Sequence, residues 1–289
     1  MRRIIQGHLT RVSLAVSFSA LFFAIIWIAG RATPLAQFLA GASIITVFAH
    51  AIAALGWSEA LSFLTICLAV TFTFENFGVL TGFPFGHYTF LVEPNIPHIG
   101  VIPPIVGLLY FGMGYPSWVI ANLLLGQSVQ RPSTRLQLFA VPIISAFVMV
   151  QWDVVMDPSG STLARAWVWY GGGGYFGVPL SNFLGWFLVT YLYYQAFSLL
   201  LYARGTRPPY PSRPRAFWAL PILLYLAAGL CHVPPLFDPD IRLVDAGGRV
   251  WSAADLRETT VIVMLFTMLP TSILGLFRLV RPGDIQALQ

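Results

Sequence analysis

The sequence predicts an all-α, polytopic integral membrane helix bundle of about eight transmembrane helices, with residues 1–289 forming a single membrane-embedded domain. Three observations predict it. Of 289 residues 57% are hydrophobic and only 9% charged, with a mean hydropathy of +0.75; a soluble domain carries roughly a quarter of its residues as charges, so polar groups are too few to cover a water-facing surface. The apolar residues fall in long blocks and not in the period-two alternation of a transmembrane barrel. Spans of ~20 residues plus loops use up the whole chain, which leaves no separate soluble catalytic domain.

The spans are expected at 12–30, 34–56, 58–77, 99–126, 136–156, 177–203, 216–236 and 259–279. The first follows Arg2, Arg3 and Arg11 and is longer than the ~7–15-residue core of a cleavable signal peptide, so it reads as retained. A tight turn at Gly56 and Trp57 separates the second from the third. Every basic residue is Arg, and with the N-terminus inside, the inside segments hold Arg2, Arg3, Arg11, Arg131, Arg135, Arg204, Arg207, Arg213, Arg215, Arg278 and Arg281. The outside segments hold Arg31, Arg165, Arg242, Arg249 and Arg257. Eleven against five obeys the positive-inside bias. The expectation is a multi-pass protein of the cell membrane with both termini cytoplasmic. Spread between apolar blocks, the arginines behind a pI near 9.5 report orientation, and no nucleic-acid partner is expected. Cys67 and Cys231 lie in apolar stretches without a CxxC or a Cys/His cluster and read as small core hydrophobes.

The connections differ in character. Arg204–Arg215 is rich in Pro and Arg, a cytoplasmic connector, and Phe237–Glu258 with its five carboxylates reads as an ordinary solvated outer loop. The segments Glu75–His98 and Asp157–Tyr175 are long, aromatic and poor in charge, which suits segments that line or plug a pocket. The run Gly171–Gly174 is not followed by Lys and opens no phosphate-binding helix; it reads as a flexible hinge.

Much familiar chemistry is missing. The five histidines form no HxxxH or HxxHH cluster, there is no GxGxxG, GxxxxGK[ST] or GxSxG, and Lys is absent, which removes di-iron oxygenase sites, nucleotide cradles, the hydrolase elbow and Schiff bases. No metal and no cofactor is expected. The acidic residues then carry the information. Glu75 falls near the outer end of the third span, with no basic residue between Arg31 and Arg131 to pair with it. Asp153 and Asp157 stand four apart and so share a helical face. Pro158 disfavours helical geometry at Asp157, so the fifth span is expected to stop there, with both carboxyls in its last turn, at the negative end of the helix and in apolar surroundings. That setting suits a carboxylic acid serving as a proton donor. Asn182, at the start of the sixth span, lies at the same depth. Ionisable residues at membrane depth are functional candidates because burying them is costly; the alternative is that the aspartates cap a loop or pair with Arg165. Glu75, Asp153, Asp157 and Asn182 are therefore the candidate catalytic residues. Trp152, Trp167, Trp169, Tyr175, Phe85, His87 and Tyr88 crowd the same places and are the candidate substrate-binding residues. They read either as an interfacial belt, with His87 a loop hydrogen-bonder, or as a pocket wall whose ring faces stabilise the carbocation formed when an alkene is protonated.

Four blocks carry a resemblance: GVLTGFPFGHYTF after Glu75 and Asn76, VIPPIVGLLYFGMGYPS, WDVVMDPSG, and YGGGGYFGVPLSNFLGW. Over about residues 70–200 the chain resembles the carotenoid biosynthesis proteins that include the γ-carotene and bisanhydrobacterioruberin hydratases. The positions that match these blocks are Glu75, Thr81, Gly82, Pro84, Phe85, Gly86, Tyr88, Asp153, Asp157, Pro158, Trp169, Gly177, Pro179, Asn182 and Trp186. The resemblance implies a cofactor-independent hydro-lyase of the carotenoid 1,2-hydratase type, which adds water across the terminal 1,2 double bond of an acyclic ψ end group and leaves a tertiary alcohol. It implies as partners a lipophilic carotenoid or other isoprenoid substrate, the lipid bilayer and other pigment-pathway enzymes. Three alternatives stand beside it. A membrane terpenoid cyclase would share the protonation step; a prenyltransferase would need a second Asp-rich motif beside DVVMD and a basic cluster for diphosphate; a transporter would show inverted repeats.

Overall fold

The computed structural model describes residues 22, 25, 26, 28–31, 33–91, 96–126, 129, 132, 134–205 and 213–280. The first expected span, 12–30, lies mostly outside them; of it, residues 22, 25, 26, 28 and 29 are helical. The helices that follow are α1 (Pro34–Leu55), α2 (Trp57–Thr81), α3 (Pro104–Leu124), α4 (Arg135–Pro158), α5 (Leu180–Ala203), α6 (Arg215–Leu230), α7 (Ala253–Phe266) and α8 (Met268–Val280). Among the described residues seven helical stretches are long and apolar enough to cross a membrane, α7 and α8 forming one of them. This is a helical, multi-pass membrane protein. Large apolar side chains such as Phe38, Ile45, Leu80, Leu136 and Phe266 are exposed around the bundle, a surface that in water would be a liability and in a bilayer meets lipid tails.

Sequence chemistry sets the helix ends. Prolines start helices where a missing N–H costs nothing: Pro34 opens α1 behind a Thr33 hydroxyl that accepts from the Ala36 N–H at 3.2 Å, and Pro104 opens α3. At α4 a capping box forms, the Gln137 N–H donating to Thr134 Oγ1 at 3.2 Å and the Thr134 N–H to Gln137 Oε1 at 3.1 Å. Gly56 alone, at φ 85° and ψ 165°, separates α1 from α2 and reverses the chain. Ile44 and His50 of α1 meet Gly112 and Tyr115 of α3 in that order, while Phe72 and Phe63 of α2 meet Gly107 and Tyr115 in the reverse order. The chain therefore goes down one helix and back up the next.

One end of the bundle gathers arginines on helix C-termini: Arg213 donates to Ala53 O and Arg278 to Leu124 O, each at 2.9 Å, and Arg204 pairs with Glu59 at 3.5 Å. The other end carries two antiparallel ribbons. Strand β1 (Tyr88–Phe90) pairs with β2 (Trp167–Trp169), and β3 (Arg242–Val244) with β4 (Val250–Ser252).

Three expectations are corrected, and a fourth gains structure. The fifth span does not stop at Asp157: α4 includes Pro158 and runs on into a π turn, Ser159–Leu163, closed by the Ala164 N–H on Ser159 O at 2.9 Å. Pro158 contributes no N–H to the ladder and crowds the turn before it, while the widened turn follows it on the C-terminal side. The last span is broken at Thr267, whose φ of −125° and ψ of −72° are not helical. Pro270, three residues on, cannot donate back to it or its neighbours and clashes with the preceding turn. The loop Phe237–Glu258 is mostly exposed, as expected, and it is folded: it carries the hairpin β3–β4 and the first turn of α7. Its Asp245 is buried and accepts from the Arg249 N–H at 2.9 Å and Trp251 Nε1 at 2.8 Å, while Arg249 donates to Gly173 O at 3.1 Å. Gly171–Gly174 is accordingly no hinge. A Cβ at Gly173 would stand 2.0 Å from the Val178 backbone, so the glycine is there for close approach.

Candidate active site

Three helices bring the acidic residues together. Asp153 and Asp157 project from one face of α4, Asn182 from the first turn of α5, and Glu75 from the sixth position before the end of α2. All four are buried. Asn182 Nδ2 donates to Asp157 Oδ2 at 2.5 Å and to Asp153 Oδ2 at 3.1 Å, so one amide bridges both aspartates. Trp167 Nε1 donates to the other oxygen of Asp157 at 2.6 Å. Glu75 accepts from the Tyr110 hydroxyl at 2.6 Å and, on its second oxygen, from the Tyr88 hydroxyl. Asp153 Oδ1 has no hydrogen-bond partner among the described residues, and neither has the Nε1 of Trp169 beside it in the cavity wall. Arg165, the cation that could have neutralised the pair, is exposed and forms no ion pair with either aspartate.

These groups line one cavity of about 220 Å³. Its roof is the ribbon β1–β2, in which Tyr88 pairs with Trp169 and Phe90 with Trp167; the period-two alternation of a strand puts all four rings on the same face. Its walls are aromatic. Tyr110 stacks on Trp186 with centroids 4.1 Å apart, Trp152 meets Trp186 edge-on at 5.8 Å, and Tyr88 lies 4.7 Å from Trp169. Phe85 is held between two helices because both are notched where it sits. A Cβ at Gly78 of α2 or Gly185 of α5 would come within 2.7 or 2.6 Å of its ring, and the Ser181 hydroxyl fixes its carbonyl at 2.8 Å.

Of the residues singled out in the sequence, Glu75, Asp153, Asp157, Asn182, Trp152, Trp167, Trp169, Phe85 and Tyr88 line this cavity. Two do not. His87 is exposed, with its ring over Gly82, because it alternates with Tyr88 at the start of the ribbon. Tyr175 packs behind the wall on Phe176 and Phe183; burial and then the neighbouring Asp157 push its phenol up to about 12. Tyr88 is displaced upward too, by burial first and then by Glu75, so its hydroxyl donates. Sequence reasoning missed Tyr110 and Trp186 as wall residues, along with the small apolar contributors Val106, Leu109 and Met156. Tyr110 had no signal of its own, because α3 also carries Tyr115, Ser117, Trp118 and Asn122. Among the described residues no group of three or more His, Cys, Asp and Glu side chains is arranged to hold a metal ion.

A family model described as carotenoid biosynthesis protein matches residues 35–233, well over half of the chain and beyond the stretch in which the sequence blocks are legible. The chain belongs to the carotenoid biosynthesis protein family. Within curated proteins it is similar to the bisanhydrobacterioruberin hydratase of Haloarcula japonica, 29% identical over 114 residues, which is 39% of this chain and 36% of that protein. No solved structure matches. The site of this carotenoid biosynthesis protein thus joins three carboxyls and an amide to an aromatic box between helices, under the β1–β2 ribbon, an arrangement able to give a proton to an apolar alkene and to stabilise the positive charge that results.

Proposed function

We propose that this protein is a carotenoid hydratase that adds water across the terminal 1,2 double bond of an acyclic ψ end group, without a cofactor, and leaves a tertiary alcohol. The observation that carries the reading is the unpartnered Asp153 Oδ1 on the wall of an aromatic cavity, beside Asp157 and opposite Glu75. Asp153 gives its proton to the carbon of the double bond that bears hydrogen. The positive charge then rests on the dimethyl carbon, where the faces of Trp152, Trp169 and Trp186 stabilise it. Glu75, oriented by the hydroxyls of Tyr88 and Tyr110, holds the water that attacks this carbon and takes its proton. Exchange through water returns a proton to Asp153. The sum is one water added to one double bond, with no change of oxidation state. Asn182 and Trp167 hold Asp157 and Asp153 in register. The arginine-lined end of the bundle faces the cytoplasm in this reading, by the positive-inside bias.

Expression in a host that makes lycopene, followed by mass analysis of the pigments, tests it. A gain of one water per ψ end is the expected product. A ring-closed product of unchanged mass would identify a cyclase, and unaltered lycopene would defeat the reading for that substrate.

A further inference from the structure

A second cavity, about 360 Å³, lies between α1, α3, α6 and the helical residues near Ala29. It has no part in the chemistry described above. Its walls are mostly apolar or small, among them Ile44, Gly112, Met113, Leu224 and Ala228; the polar side chains on it are His232 and Ser43, and the Ser43 hydroxyl is spent on Ala40 O at 2.7 Å. Leu109, Trp152 and Met156 line both this cavity and the acidic chamber. The two are therefore adjacent rooms on opposite sides of the α3–α4 seam. The partition between them is one ring and two flexible aliphatic chains, and a methionine thioether adapts its shape readily.

We infer that this second cavity holds the polyene tail of the substrate while its end group occupies the acidic chamber, with the chain crossing the seam at Leu109 and Met156. The inference rests on the hydratase reading for the chamber. A long conjugated hydrocarbon whose end group reaches Asp153 must leave the chamber somewhere. The ribbon β1–β2 closes the roof, which is the water-facing side and the costly one for hydrocarbon. The seam opens instead into an apolar space inside the bundle. The chamber alone is below the ~300–1,000 Å³ usual for small-molecule sites, whereas both rooms together fall within it.

The test uses the whole protein in lipid nanodiscs, with lycopene as the long probe and myrcene as a short alkene bearing the same terminal isopropylidene group. Binding is read by quenching of tryptophan fluorescence and turnover by mass analysis. Ala36→Phe on α1 and Ala227→Phe on α6 fill the second cavity from two walls; Leu184→Phe, at a position 62% exposed on α5, is the control. Each filled variant should weaken lycopene binding, and raise its KM, by at least about tenfold, with myrcene changed by less than about twofold and the control behaving as wild type. Unchanged lycopene binding in both filled variants overturns the inference. Because a bulky residue can disturb folding, a diazirine-bearing polyene photolysed with the unmodified protein gives a second reading: label on Met113 or Leu224 supports the tail site, and label confined to lipid-facing positions such as Leu184 overturns it. If lycopene binding follows the cavity but no alcohol forms from any probe, the hydratase reading fails and the tail site stands. If alcohol forms from lycopene at the wild-type rate in both filled variants, the tail site fails and the hydratase reading stands.

Discussion

Replacing Asp153 by Asn removes a transferable proton and little else. Asp153 accepts one hydrogen bond, from Asn182 at 3.1 Å on Oδ2, and its Oδ1 has no partner among the described residues. An asparagine can keep that bond with its carbonyl oxygen and turn its N–H₂ toward the cavity, so the stability change should stay within about 1 kcal/mol. Asp157 is different. Both its oxygens accept, from Trp167 at 2.6 Å and Asn182 at 2.5 Å, so Asp157→Asn must aim an N–H₂ at one of these donors. That leaves a buried donor unpaired, which costs about 1–3 kcal/mol. General acid catalysis is worth ~10²–10⁴-fold in rate, or about 3–5 kcal/mol in the barrier. Asp153→Asn should therefore lose at least about a hundredfold in alcohol formed per folded protein, with an unchanged melting temperature, whereas Asp157→Asn should lose stability as well. The assay is single-turnover hydration of lycopene in proteoliposomes, followed by mass analysis, with the folded fraction taken from size-exclusion chromatography. An Asp153→Asn protein that hydrates at close to the wild-type rate would refute the assignment of the acid and pass the role to Asp157 or Glu75.

Gly173→Ala should abolish folding of the loop under β3–β4 and with it activity, while Gly171→Ala and Gly174→Ala, where a Cβ meets nothing within 4 Å, should express and turn over as wild type; equal effects at all three positions would remove the close-approach argument. The carboxyl of Asp240 is held below its usual range because the Ala254 N–H and the Ser252 hydroxyl donate to it. The stabilisation this brings is present above the ordinary carboxylate pKa and is lost as pH falls through the depressed value, so wild type should lose melting temperature in acid more steeply than Asp240→Asn, and parallel pH profiles would contradict it. For topology, with Cys67 and Cys231 replaced by Ala, Pro208→Cys should resist an impermeant thiol reagent in intact cells and His98→Cys should react; the reverse pattern would invert the assigned sides.

The membrane class, the order of the spans and the placement of Glu75, Asp153, Asp157 and Asn182 at a common level of the bundle were legible in the linear sequence. Hydropathy blocks and the cost of burying charge act locally, so each could be read without knowing what packs against what. Helix starts were legible in part: the expected 34, 58, 136 and 216 fall within one residue of the starts of α1, α2, α4 and α6, whereas 99, 177 and 259 miss those of α3, α5 and α7 at Pro104, Leu180 and Ala253. Continuation of α4 through Pro158 was not legible, because a π turn is favoured there only once Trp167, packed over Gly160, and Thr162, bonded to Phe176 O, are in place. Nor was the roof. Tyr88–Phe90 and Trp167–Trp169 are three-residue strands with no pattern of their own, and they exist because two loops some eighty positions apart meet over the same cavity. The pairing of Glu75 with Tyr110, the bridging of both aspartates by one amide and the seating of Phe85 between Gly78 and Gly185 likewise depend on which helix faces meet. Side-chain reach across a helix interface is a few ångströms, and rotations of neighbouring helices about their own axes, which the packing of the whole bundle decides, are what bring such partners within it.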